Sequence, residues 1–125
     1  MIDIRGLAPH SWHIPSDQEW LSLSEMLGGK KKAGKKLKSL KGWKTSFWSN
    51  GNGNNQTGFD GYPGGMRLNQ GTFGAITVLG CWWTSTKHTP ESALFWMLSH
   101  DSDSLDKTEE SSPFGCGFSV RCLRD

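Results

Sequence analysis

The sequence predicts an α+β fold: one or two helices, then short antiparallel strands joined by long Gly/Asn-rich loops. Three observations carry this. A complete helix-start signal, Ser16-x-x-Glu19, lies near the beginning of the chain. Sixteen Gly and five Pro among 125 residues demand many turns, more than a helical bundle would use. From Met66 onward, short runs of strand-forming residues alternate with turn residues.

The first helix is the most clearly marked element. Ser16 and Glu19 form a capping box, Pro15 fixes the approach, and Asp17 favours the positive end of the helix dipole. Trp20, Leu23 and Leu27 then fall on one face, and Gly28-Gly29 ends the run. The next stretch, "KKKAGKKLKSLKGW", places Ala33, Leu37 and Leu40 on one helical face and turns its lysines outward. A solvated basic face is the plain reading. A nucleic-acid patch would want stacking aromatics within the run, whereas Trp43 and Phe47–Trp48 only flank it.

"SNGNGNNQTGFDGYPGGMR" reads as a long irregular loop of residues that tolerate positive φ. Gly51-x-Gly53 lacks the third glycine and preceding strand of a dinucleotide fingerprint. Calcium is the one metal this loop suggests, through Asn carbonyls, with Asp60 its single carboxylate; otherwise no cofactor is expected. Asn55-Gln56-Thr57 is formally a glycosylation sequon.

"GMRLNQGTF" then reads as a hairpin turning at Asn69–Gly71. "VLGCWWTST" is a strand interrupted by "KHTPES", and Ala93–Ser99 is a strand apolar on both faces. Asp101–Ser104 is a turn after which "LDKT" pairs back. "GFSVRCL" alternates as a last strand, with Phe118, Val120 and Cys122 on one side. The adjacent Trp82 and Trp83 must point to opposite faces. One belongs to the core, and the other needs cover or serves as a ligand platform. Likewise Leu94, Trp96 and Leu98 oppose Phe95 and Met97.

Composition bounds function. The length suits a single domain spanning 1–125, and the formal net charge is only +2, so nucleic acid is not an expected partner. No apolar run approaches the roughly 20 residues of a membrane span, and "MIDIRGLAPH" is too short and polar for a signal peptide. Cys81, Cys116 and Cys122 form no CxxC; one disulfide and a spare thiol, or three thiols, are both open.

Catalytic patterns are thin. His10-x-x-His13 has metal-like spacing but sits in a Pro-flanked loop with no neighbouring carboxylate or thiolate in sequence. Cys81 lacks a local activating group. Asp101, Asp103, Asp106, Glu109 and Glu110 read as solvated loop charge. The chain is therefore expected to be no enzyme.

Four blocks in order, "RGLAPHSWHIPSDQEWLSLSEMLGG", "AGKKLKS…GW", "GFDGYPGGMR…GTFGAI…GCWWTST" and "GFSVRCLRD", resemble the Fibrobacter succinogenes major paralogous domain. The resemblance runs from about Arg5 to Asp125. It implies a C-type-lectin-like fold, akin to formylglycine-generating enzymes and to the variable proteins of diversity-generating retroelements. It also implies Bacteroidetes-type secreted or lipid-anchored surface proteins, hence an extracellular or cell-surface location. Family members usually carry an upstream "W-M-x-x-N-L" strand, so the chain reads as a C-terminal portion. Its last strand, Gly117–Leu123, is then expected to lack a partner and to invite self-association. The paired cysteines of formylglycine-generating enzymes and the "EPN" and "WND" motifs of calcium-dependent lectins are absent.

The expected function is a non-enzymatic surface recognition module for a protein or glycan, a retroelement-diversified variable protein being one form of it. The alternative is a structural spacer of bacterial envelope proteins. The stretch from Lys87 to Phe114 supplies the candidate contacts: His88, Phe95, Met97, His100, Asp101, Asp103 and Lys107.

Overall fold

The computed structural model describes residues 6–108, 112–113 and 115–125. A short strand β1 (Trp12–His13) precedes helices α1 (Asp17–Met26) and α2 (Lys30–Leu37). A long loop leads to the hairpin β2 (Met66–Arg67) and β3 (Phe73–Gly74). The main sheet follows: β4 (Leu79–Thr89), β5 (Ser92–Ser99) and β6 (Leu105–Lys107), with β7 (Ser112–Pro113) also pairing β5. Strand β8 (Leu123–Arg124) closes the chain against β1. The architecture is α+β with antiparallel sheets, as the sequence predicts.

Helix α1 begins on the anticipated capping box: Glu19 N–H donates to Ser16 Oγ, and Ser16 N–H donates to Glu19 Oε2. Gly28 and Gly29 follow at φ +94° and +92°, values that favour glycine and end the helix. Trp20 points inward and stacks on Trp96 at 6.4 Å, with Trp82 at 6.3 Å and the edge of Phe59 at 5.8 Å. Each such ring removes roughly 150–250 Å² from water. Ala33, Leu37, Trp43, Leu98 and Leu105 complete this cluster.

Helix α2 lies against the β5–β6 turn so closely that a Cβ on Gly34 would fall 2.2 Å from the Ser104 carbonyl oxygen. Glycine is required there by the approach itself. The helix ends at Leu37, one turn short of the face anticipated through Leu40. Leu40 is therefore 66% exposed, and Lys38, expected outside with the other lysines, is 1% exposed. Its ammonium donates to the Ser99 and Ser102 carbonyls at 3.1 and 2.8 Å and lies 5.3 Å from the Trp43 ring centroid. Burial lowers its pKa, and two carbonyl dipoles take the place of water.

Strand β4 runs on through "KHT", with register shifts between Trp83 and Thr89, rather than stopping at Thr86. Cross-strand pairs assign the two faces. Gly80, Trp82, Trp96, Leu98 and Leu105 look toward the helices; Cys81, Trp83, Phe95, Met97 and Asp106 look away. Trp83 is no exposed platform. Phe118, from the C-terminal segment, packs on it at 4.5 Å and on Phe95 at 4.5 Å.

The C-terminal segment is not one continuous strand. Gly117 bridges Arg67, Ser119 bridges Trp82 in parallel, and Leu123–Arg124 pairs Trp12–His13. The expectation of a partnerless Gly117–Leu123 strand is thus corrected, and with it the ground for self-association there. Its backbone bonds are shared among three elements of the same chain.

Candidate functional site

The residues singled out from the sequence occupy several places. His88 is exposed near the Thr89–Ser92 end of the β4–β5 hairpin, and His100 follows Ser99 at the opposite end. Phe95 and Met97 share the outer face of β5, where Phe95 packs on Trp83 and Phe118 and Met97 opposes Cys81. Asp101 and Asp103 sit with His100 in the β5–β6 turn. A hydrogen bond from Ser99 Oγ lowers the Asp101 pKa. Lys107 belongs to the inner side, where it pairs Asp17 at 2.7 Å. The fold brings Phe95 to Met97, and His100 to Asp101 and Asp103, but draws no single site from all seven. Glu109, Glu110 and Phe114 lie outside the described residues.

Potential chemical groups are engaged structurally. Burial pushes the Cys81 thiol up to about 11, and Cys81, Cys116 and Cys122 are all free. His13, read as lacking carboxylate neighbours, lies between two. Its Nδ1 is 2.7 Å from Asp125 Oδ1 and its Nε2 is 2.9 Å from Glu19 Oε1. These hydrogen bonds, that to Asp125 foremost, raise its pKa. Glu19 is lowered by the Ser16 backbone N–H and then by His13. Among the described residues no cluster of three or more His, Cys, Asp or Glu could hold a metal.

The surface best suited to contact lies elsewhere, in the loop after Trp43. Of the seven tryptophans five are buried, and only Trp12 and Trp48 are exposed. Ser46 and Ser49 exchange backbone hydrogen bonds at 2.8 and 3.3 Å, closing a tight turn whose two tip residues are Phe47 and Trp48. The two residues are 91% and 89% exposed, and their rings touch edge-to-face with centroids 4.9 Å apart. Two large aromatics in water at one tip form an apolar patch that the fold itself does not use.

The base of this tip is firmly held. Lys44 N–H donates to the Thr77 carbonyl at 2.8 Å, and buried Trp43 donates its indole N–H to Gly61 at 3.0 Å. The asparagines that follow explain the loop's composition. Oδ1 of Asn50, Asn52, Asn54 and Asn55 accepts a backbone N–H from Asn52, Trp43, Gln56 and Asp60 respectively. Their carbonyls, offered by the sequence as calcium ligands, serve the loop's own backbone. At Gly51 a Cβ would lie 2.2 Å from the Lys44 carbonyl, so only glycine lets the loop double back so tightly.

In the sequence, Phe47–Trp48 stand only as flanks of the lysine run. The signal was local: two large aromatics enclosed by the turn formers Thr45, Ser46, Ser49 and Asn50. Tyr62, half exposed against Gly42, and Ile76, exposed beside Thr77, add apolar surface near the same base.

A family model, the Fibrobacter succinogenes major domain, matches residues 1–124. The chain belongs to this family, as its four sequence blocks imply. No curated protein and no solved structure matches it.

Proposed function

We propose that this member of the Fibrobacter succinogenes major domain family is a non-enzymatic recognition module. It works at the extracellular or cell surface on a C-type-lectin-like scaffold, and it contacts a glycan or protein through the Phe47–Trp48 tip. The observation that supports this is a nearly fully exposed aromatic pair on a loop whose backbone is fixed by asparagine side chains.

The physical reasoning is that of a paratope. Rigid aromatics provide contact area at small entropic cost, and surrounding Ser, Gly and Asn provide adaptable hydrogen bonding. Residues 45–58, "TSFWSNGNGNNQTG", have that composition. A ring face offers stacking to the C–H side of a sugar or to an apolar side chain, while Ser46, Ser49 and Asn50 border it with polar groups. Trp is also enriched among residues whose truncation costs about 2 kcal/mol or more of binding.

The test is binding to an array of glycans and bacterial envelope proteins, at low and high salt. A saturable hit that survives high salt supports the reading, because stacking and apolar contacts are not screened. Silence, or binding that salt removes throughout, points to a structural spacer with an attractive lysine face.

A further inference from the structure

We infer that the cleft between α1 and the C-terminal segment is a separate site for a small apolar carboxylate. The cleft has a volume of about 230 Å³, and its walls include Glu19, Trp20, Leu23, Phe59, Arg121 and Leu123. An apolar cavity of about 150 Å³ accommodates benzene. This cleft therefore has room for a ring or short alkyl chain with a polar group at its mouth.

The polar balance of the walls selects that group. Trp20 Nε1–H is the one buried side-chain polar atom without a hydrogen-bond partner among the described residues. The ring carrying it is 3% exposed, where an unpaired donor is costly. Arg121, by contrast, is an exposed donor at the cleft wall. Its guanidinium carbon lies over Phe59, 4.8 Å from the ring centroid, and it has no ion pair or hydrogen bond among the described residues.

The carboxylate at the wall, Glu19, is already committed. Oε1 accepts from His13, and Oε2 accepts from the N–H and Oγ of Ser16. The cleft thus offers one free, accessible donor, the planar Arg121 cation, on walls that are apolar apart from Glu19, while the unpaired Trp20 indole N–H is buried. A carboxylate is the simplest group that a guanidinium fork binds bidentately. This inference does not depend on the Phe47–Trp48 tip.

The test uses the whole chain and titrates 3-phenylpropionate, its neutral analogue 3-phenylpropanol, and acetate, while following the assigned Trp20 indole N–H resonance by NMR. The acid is expected to shift this resonance saturably, the alcohol to bind at least tenfold more weakly, and acetate to cause no shift at matched concentration. Arg121→Gln, an exposed position that the core does not use, should weaken the acid about tenfold and leave the alcohol unchanged. The Phe47→Ala/Trp48→Ala double variant should bind the acid like the wild type. An unmoved Trp20 resonance, equal affinity for acid and alcohol, or loss of binding in the tip variant would each overturn the assignment.

Discussion

Asp17 accepts the indole N–H of the fully buried Trp96 on Oδ1 at 2.9 Å, while its Oδ2 holds the Lys107 ammonium at 2.7 Å. One carboxylate in the first turn of α1 thereby ties the helix to two strands of the sheet. Asp17→Ala strands a buried donor and frees a half-buried cation. It is expected to lower stability by about 1–3 kcal/mol, and Asp17→Asn, which retains an acceptor, by less. Urea denaturation with an unchanged m-value measures this; an alanine variant as stable as wild type would remove Asp17 from the account.

Lys38 gives a second prediction. Lys38→Met keeps the apolar stem but leaves the Ser99 and Ser102 carbonyls without their donor. A loss of about 2 kcal/mol or more is expected. Lys41→Met, at an exposed position of the same run, should change stability by less than about 0.5 kcal/mol. Equal effects would mean that Lys38 is just another surface lysine.

The Glu19–His13–Asp125 arrangement predicts a pH profile. His13 has a folded pKa above its ordinary 6.5, so its contribution is complete below that pH and is lost as pH rises through the folded value. Glu19 is held below its ordinary 4.5, so its contribution is present above that pH and is lost as pH falls through the lowered value. Both operate together between about 4.5 and 6.5. The wild-type Tm should therefore decline from pH 6 toward pH 8.5, modestly because the imidazole is partly exposed. His13→Gln should flatten that decline. Parallel profiles for the two proteins would show the contacts to be energetically idle.

Thiol chemistry separates Cys81 from the others. With its pKa at about 11 and its side chain buried, Cys81 is almost entirely thiol at pH 8. Cys116 and Cys122, partly accessible, should take up iodoacetamide at least a hundredfold faster, as read by mass spectrometry of the native protein. Comparable labelling of Cys81 would mean that the β4 face opens readily.

How far the sequence disclosed this arrangement depends on the range of each interaction. The capping box, the Trp20 face and the Asn69–Gly71 turn are local, so spacing alone reveals them. The opposed directions of Trp82 and Trp83 follow from strand geometry. The burial of Lys38 was hidden because its acceptors lie 61 and 64 residues away. His13 reads as a bare loop histidine because one of its carboxylates is 112 residues distant. Gly117–Leu123 alternates like a single strand, yet its pairing is split among Arg67, Trp82 and β1, which no periodicity reports. The Asn-rich loop looks irregular in sequence for a related reason: its order comes from side chains bonding to backbone, without a repeating ladder.

The recognition tip is tested most directly by measuring the dissociation constant of one salt-resistant array ligand against wild type and Trp48→Ala side by side. Trp48 is almost wholly exposed and touches Phe47, so its truncation leaves the core intact. The account predicts at least tenfold weaker binding with an unchanged Tm. Equal affinity in the two proteins would contradict it and place the contact surface elsewhere on the fold.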